Sequence, residues 1–162
     1  MLFRSVQKIF LGTAVDLGLL EASISIGLVL GMLVGQKFTH AYSVLSTAAI
    51  TMAVTGAVLL VPAFIVFRVI YLAALFVAGF SVGCNNVRVI THFQTIVPQD
   101  NKGQFFSYLQ ATIGFAVPMG YLIFGYLGDV VSPRILCVIE GLGILTLSLY
   151  FLWIEKRHEV AI

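Results

Sequence analysis

Five long apolar segments, separated by short polar links, make up most of this chain of 162 residues. They cover residues 17–34, 42–61, 64–87, 105–127 and 135–154. A helix needs about 20 mostly apolar residues to cross the hydrocarbon core of a bilayer, and the segments have about that length. Apolar residues follow one another instead of alternating, which argues against the strands of a membrane barrel. The pattern predicts an all-α membrane protein of about five transmembrane helices in a single domain.

Composition agrees with this prediction and excludes several classes of function. Only 10% of the residues are charged and 60% are hydrophobic, whereas soluble domains carry about 25% charged residues. The net charge of +2 is too small to predict nucleic-acid binding. The sequence contains no phosphate-binding loop, no Cys-x-x-Cys and no His-Glu-x-x-His. We therefore expect no cofactor, no metal site and no catalytic site, and a membrane-embedded enzyme is the least favoured interpretation.

The links predict where the helices begin and end. Pro62 is expected to end the second segment in a tight turn. Residues 64–97 contain no break, so a helix there would be roughly 50 Å long and would tilt or extend into water near residues 88–94. Ser132 is suited to cap the last helix, and Pro133 to begin it.

Basic residues indicate the orientation of the chain in the membrane. Five spans place the two termini on opposite sides, and the cluster Lys156-Arg157 after Trp153 favours a cytoplasmic C-terminus. The basic residues are then divided five inside against four outside, namely Lys37, Arg88, Lys102, Lys156 and Arg157 against Arg4, Lys8, Arg68 and Arg134. We expect a multi-pass protein of the cell (plasma) membrane.

Small residues at helical spacing predict close contacts between helices. Glycines that recur every four residues share one face of a helix and let two backbones approach. A proline inside a span tends to bend it. These helix-packing candidates are Gly27, Gly31, Gly35, Gly79, Gly83, Pro118 and Gly120. Helices that slide or bend during transport would show the same spacing, so the pattern leaves both interpretations open.

Ionisable side chains inside the spans are a sharper signal, because each costs about 2.5–3.5 kcal/mol at the bilayer centre. Glu21 and Arg68 both lie about one turn into a span, near the same membrane face. They form an ion pair, line a cavity, or extend to the interface. Glu140 lies deeper in the last span, where it pairs with Arg68, faces water or is protonated.

Three amides also lie within spans. Asn85, Asn86 and Gln110 need hydrogen-bond partners in lipid and should point into the bundle. Interhelical hydrogen bonds and contact with a substrate both satisfy that requirement.

Three stretches of the chain are similar, in order, to parts of the major facilitator superfamily. Residues 12–22 (GTAVDLGLLEA) resemble the start of the eighth helix of its exporters. Residues 97–107 (VPQDNKGQFFS) resemble the cytoplasmic loop between helices ten and eleven in the branch with macrolide efflux proteins and the enterobactin exporter. Residues 118–129 resemble helix eleven and the turn after it. Lys102 and Val130 depart from the pattern, which has arginine and a basic residue there.

The resemblance implies that the five segments are helices eight to twelve of a twelve-helix transporter, a partial C-terminal half of the fold. It implies a missing N-terminal half as partner and a small-molecule substrate, exported by alternating access in drug or macrolide-type efflux, driven by an ion gradient as in antiport. It places Glu21, Arg68, Asn85, Asn86 and Gln110 near the cavity, and Glu140 outside it. The alternative is a stand-alone small membrane protein with an assembly or regulatory role, which binds partners through its glycine faces.

Overall fold

The computed structural model describes residues 14–37, 43–65 and 67–160. Its five helices are α1 (Ala14–Gly35), α2 (Val44–Phe64), α3 (Arg68–Ile96), α4 (Lys102–Val130) and α5 (Pro133–Val160), and the 3₁₀ turn Gln99–Asn101 joins α3 to α4. No strand occurs among the described residues. By length and composition, all five helices are able to cross a membrane, which confirms the predicted all-α membrane fold.

The end of α2 differs from the predicted one. Pro62 is buried inside α2, which continues to Phe64, so the predicted turn at this proline is wrong. A proline removes one backbone hydrogen bond, but in a membrane any irregular alternative would leave more backbone groups without partners. α2 ends at Phe64 instead, and α3 begins at Arg68. At the other end of the chain, Ser132 Oγ accepts a long hydrogen bond of 3.5 Å from the Ile135 N–H, at the start of α5.

The third apolar segment forms one helix along its whole length. α3 runs unbroken from Arg68 to Ile96, nine residues beyond the end of the predicted span at residue 87. At 1.5 Å per residue its 29 residues extend over roughly 43 Å, more than the hydrocarbon core of about 30 Å. Its last turns therefore carry exposed polar side chains such as His92 and Gln94.

α3 is the central helix of the bundle. It packs along its length against α1 and also against α2, and α2 packs in turn against α5. α4 is different, because it makes only slight contact with α5 and the 3₁₀ turn. None of the residues of α4 is buried. Nearly the whole surface of α4 is therefore left uncovered by the other described helices.

Glycines bring the backbones of α1 and α3 into direct contact. A Cβ added to Gly27 or Gly31 of α1, or to Gly79 or Gly83 of α3, would overlap a carbonyl oxygen of the facing helix. At Gly35 it would lie 2.9 Å from the Cα of Cys84. The carbonyls that face the four overlapping positions belong, in that order, to Phe76, Phe80, Ile24 and Leu28. The contact is thus reciprocal, and the predicted glycine faces meet each other within the chain.

A second close contact joins α2 to α5. A Cβ on Gly56 would lie 2.9 Å from the Gly141 carbonyl oxygen, and a Cβ on Gly141 would lie 2.9 Å from that of Gly56. Further along, the Ser148 hydroxyl donates a hydrogen bond of 2.7 Å to the Ala49 carbonyl. Ser148 is only 2% exposed. Small residues again let one helix reach the backbone of another.

We predict that Ser148→Ala lowers the stability of the bundle slightly, by about 0.6 kcal/mol, the mean for interhelical hydrogen bonds in membranes. The hydroxyl is lost, but the smaller side chain still fits between α2 and α5. The measurement is the midpoint of SDS-induced unfolding in mixed micelles. Ser107→Ala is the matched control, because the Ser107 hydroxyl bonds to Gly103 of its own helix and is exposed. Equal midpoints for the two variants would contradict the prediction.

Candidate functional site

The five residues predicted to line a cavity lie in three different places. Glu21 lies in the third turn of α1, and Arg68 is the first residue of α3. Arg68 forms an ion pair with Asp16, one turn before Glu21. Asn86 and Gln110 lie at the other end of the bundle and line one cleft. Asn85 is the neighbour of Asn86 but does not line that cleft.

The cleft lies between the second half of α3 and the first half of α4, and its volume is about 340 Å³. Its lining residues recur at spacings of three and four, so one stripe of each helix forms one wall. The stripe of α3 consists of Asn86, Val89, Ile90, Phe93 and Gln94, and that of α4 consists of Phe106, Leu109, Gln110 and Ile113.

The lining combines amides with apolar and aromatic groups. Asn86, Gln94 and Gln110 carry the polar side chains, and each amide both donates and accepts hydrogen bonds. Phe93 and Phe106 add flat apolar surface. None of the lining side chains carries a formal charge. A mostly apolar wall with a few polar groups is typical of sites for small organic molecules.

Three phenylalanine rings, those of Phe93, Phe105 and Phe106, pack together near the 3₁₀ turn, and two of them also line the cleft. The ring centroids of Phe93 and Phe105 are 5.2 Å apart, and those of Phe105 and Phe106 are 5.5 Å apart, both in edge-to-face geometry. Such pairs contribute about 0.5–1.5 kcal/mol beyond the area that they bury. They fix the start of α4 against the end of α3. This cluster is not among the predictions from sequence, although the two adjacent phenylalanines after the polar loop were a signal for it.

Asn85 and Arg88 occupy the other side of α3. At 100° per residue, Asn85 is about 80° or more away from every cleft residue of that helix except Val89. Both side chains are half-buried. The Asn85 Oδ1 atom is buried and accepts no hydrogen bond within the described residues. The structure therefore places Asn85 within the helix bundle and Asn86 in the cleft.

Pro118 and Gly120 differ from the other helix-packing candidates. Pro118 is exposed on α4, and a Cβ added to Gly120 would meet no heavy atom within 4 Å. Within the described residues, Gly120 therefore mediates no helix contact. Helix packing by Gly120 and Pro118 stays a prediction, and it would require a helix from outside this chain.

Five spanning helices define a multi-pass helical membrane protein, and a mostly apolar cleft with three amides lies between two of them. The sequence model of the Major Facilitator Superfamily matches residues 3–161. The chain belongs to this superfamily, which is a family of membrane transporters. No curated protein and no solved structure is significantly similar to it.

Proposed function

We propose that the chain acts as helices eight to twelve of a twelve-helix exporter, and that the α3–α4 cleft is its share of the substrate site. The observation that carries this proposal is the cleft itself, where amides of two different helices converge on one apolar groove. Transporter sites of this kind lie between two halves of the protein. An N-terminal half would cover the exposed face of α4 and close the groove.

The position of the cleft supports export. Antiparallel neighbours put the end of α3, the start of α4 and the end of α5 on one side of the membrane. The cleft residues between Asn86 and Ile113 lie towards that side. If the C-terminus is cytoplasmic, the groove is loaded from the cytoplasm. Rocking of the two halves would then release the substrate outside, driven by an ion gradient.

The end of α5 supports this orientation. The Arg157 guanidinium lies 4.3 Å from the centre of the Trp153 ring. Tryptophan and basic residues at a helix end anchor it at the membrane–water interface, and the basic residues favour the cytoplasmic side. The Trp153–Arg157 contact supports a cytoplasmic C-terminus, and a plasma-membrane location is part of the same proposal.

The alternative is a stand-alone subunit that binds partners through its glycine faces. The structure argues against that mechanism, because the glycines of α1 and α3 already face each other. α4 is the helix that keeps an open surface. A subunit role would therefore depend on α4, where Gly120 and Gly125 have no neighbour within 4 Å.

We predict that the chain alone exports nothing and that export requires a complementary fragment of seven helices from the same superfamily. The chain is expressed in efflux-deficient cells with and without helices one to seven of an exporter, and loss of a preloaded amphipathic dye is followed. Without the partner, half of the substrate site is absent. With it, efflux should rise at least several-fold above that of either fragment alone.

The control for this experiment is the seven-helix fragment paired with a chain that lacks α4 and α5. That pair should insert but not export, because one wall of the cleft is missing. Efflux by the five-helix chain alone would overturn the proposal, since it would show that this chain contains a complete pathway.

A further inference from the structure

Two aromatic rings and a guanidinium lie one above the other near the end of α5. The Tyr150 and Trp153 rings are stacked, with centroids 6.2 Å apart and planes inclined by 22°. The Arg157 guanidinium lies over the Trp153 ring, 4.3 Å from its centroid. Residues spaced by three and four share one face of a helix, so these three residues, the α5 stack, form one continuous surface. None of them lines the α3–α4 cleft.

The α5 stack lies on a side of the helix that the other described helices leave uncovered. Tyr150 is 55% exposed and Trp153 is 52% exposed, and Arg157 is exposed as well. Gly141 and Ser148, which contact α2, lie about 120–140° away from Trp153 around α5. The stack therefore faces the surroundings of the bundle and not its interior.

The positive charges at this end of α5 form no ion pair within the described part of the chain. Glu155 is two residues before Arg157, which puts it about 160° away around the helix. It accepts hydrogen bonds from the Ser43 and Ser46 hydroxyls at the start of α2. Lys156 and Arg157 are both exposed, and neither is paired with a described carboxylate. Two cations are therefore available to an anion from outside the chain.

An exposed apolar stripe continues from the stack towards the start of α5. Thr146, which lies within the stripe, donates its hydroxyl to the Leu142 carbonyl of the same helix. The stripe is roughly 27 Å long between residues 135 and 153, close to the thickness of the hydrocarbon core, which is about 30 Å. Its apolar members lie within about 40° of Trp153 around the helix and are 44–65% exposed, namely Ile135, Ile139, Leu142 and Leu149.

We propose that the end of α5 binds the phosphate of an anionic phospholipid, whose acyl chains lie along this apolar stripe. A guanidinium that rests on an aromatic ring is held in place while its N–H groups remain free for a phosphate. Charge-assisted bonds from arginine to phosphate are among the strong ones. Tryptophan prefers the depth of the lipid headgroups, which sets the phosphate at the level of Arg157.

The combination of charge and apolar surface favours a lipid over other occupants. A soluble phosphate would contact the cations but leave the stripe uncovered. A second copy of the chain, docked symmetrically through this face, would bring Lys156 and Arg157 towards their own counterparts. An anionic lipid supplies the negative charge and the apolar chains together. The inference concerns the outer side of α5 alone, so its failure would leave the exporter proposal and the α3–α4 cleft unaffected.

Trp153 is the only tryptophan of the chain, so its fluorescence reports which lipid lies beside it. The purified full chain is reconstituted in phosphatidylcholine bilayers that contain an equal minor fraction of either brominated phosphatidylcholine or brominated phosphatidylglycerol. Bromine quenches tryptophan fluorescence only at short range. We expect the brominated anionic lipid to bind beside Trp153 at least about fivefold more strongly than the zwitterionic one, which is the attraction that one basic residue near a charged membrane surface provides.

Arg157→Gln removes the charge and should lower this preference about fivefold. Quenching by brominated phosphatidylcholine should stay the same, which shows that the depth of Trp153 is unchanged. Lys102→Gln is the matched control, because it removes one positive charge from the start of α4, on the same side of the membrane. It should keep the preference of the wild type. Circular dichroism checks that each variant is folded.

Three results would overturn the proposal. Equal losses in Arg157→Gln and Lys102→Gln would show that only the general surface charge attracts the lipid. Absence of quenching by both brominated lipids would show that another protein surface covers Trp153. Glycerol phosphate carries the anion without the acyl chains and should not compete at millimolar concentration. Competition by it would indicate a site for free phosphate.

Discussion

Gly31→Leu is expected to destabilise the bundle strongly, because the backbones of α1 and α3 touch at this position. A Cβ there would overlap the Phe80 carbonyl oxygen and lie 2.8 Å from the Phe80 carbonyl carbon. Backbone atoms cannot rotate away as a side chain does. The two helices would have to separate along the reciprocal contact that also involves Gly27, Gly79 and Gly83. We expect a loss of about 3 kcal/mol, the upper end of typical overpacking costs.

The measurement is SDS-induced unfolding of the purified chain, followed by circular dichroism. Gly18→Leu is the matched control, since Gly18 is on the same helix and a Cβ there would meet nothing within 4 Å. Leucine also favours the helix more than glycine does, so the control should be as stable as the wild type or more so. If both variants unfold at the same SDS fraction, the α1–α3 contact is not as close as the structure shows.

The α1–α3 contact shows what glycine spacing can predict and what it cannot. The repeats at 27, 31 and 35 and at 79 and 83 identify one face on each helix. They do not say which helix lies opposite, because any small-residue face fits several partners. Gly56 and Gly141 belong to no such repeat, yet they form the close contact between α2 and α5. Isolated glycines become informative only when the packing is known.

Helix number and length could be predicted because the hydrophobic requirement of the bilayer acts on each segment separately. Pairings between segments could not, because they depend on depth and rotation. Glu21 and Arg68 were expected at the same membrane face, but the ion pair of Arg68 is with Asp16, one turn further out. At the other end of the bundle, the Ser43 and Ser46 hydroxyls both donate to Glu155, more than 100 residues away.

The candidate site was only partly predictable, because the sequence does not give the rotation of each helix. Amides inside spans stand out in the sequence, and Asn86 and Gln110 do lie in one cleft. Asn85 is an equally conspicuous amide, but its position along the helix turns it away from that cleft. Which of two adjacent amides faces a ligand is decided by the rotation of α3, and this rotation is set by the glycine contacts with α1.

The second large effect is expected when both cleft amides are removed. In the assembled transporter, Asn86→Leu or Gln110→Leu alone should lower export of a hydrogen-bonding substrate about fivefold, since a net hydrogen bond contributes about 1 kcal/mol. The double variant should lower it about 30-fold if the two amides bind the substrate independently. Leucine preserves the apolar character and much of the volume of each side chain, so the fold should be kept.

Two controls separate substrate contact from a structural effect. Gln104→Leu removes an exposed amide of α4 that lies outside the cleft and is hydrogen-bonded to Tyr108, and it should export normally. A probe of similar size without hydrogen-bonding groups should be exported by the double variant at least as well as by the wild type, because leucine adds apolar surface to the groove. Equal losses for both probes would mean that the amides support the fold and do not contact the substrate. A selective loss would assign the α3–α4 cleft to recognition, because only a group that touches the substrate distinguishes these two probes.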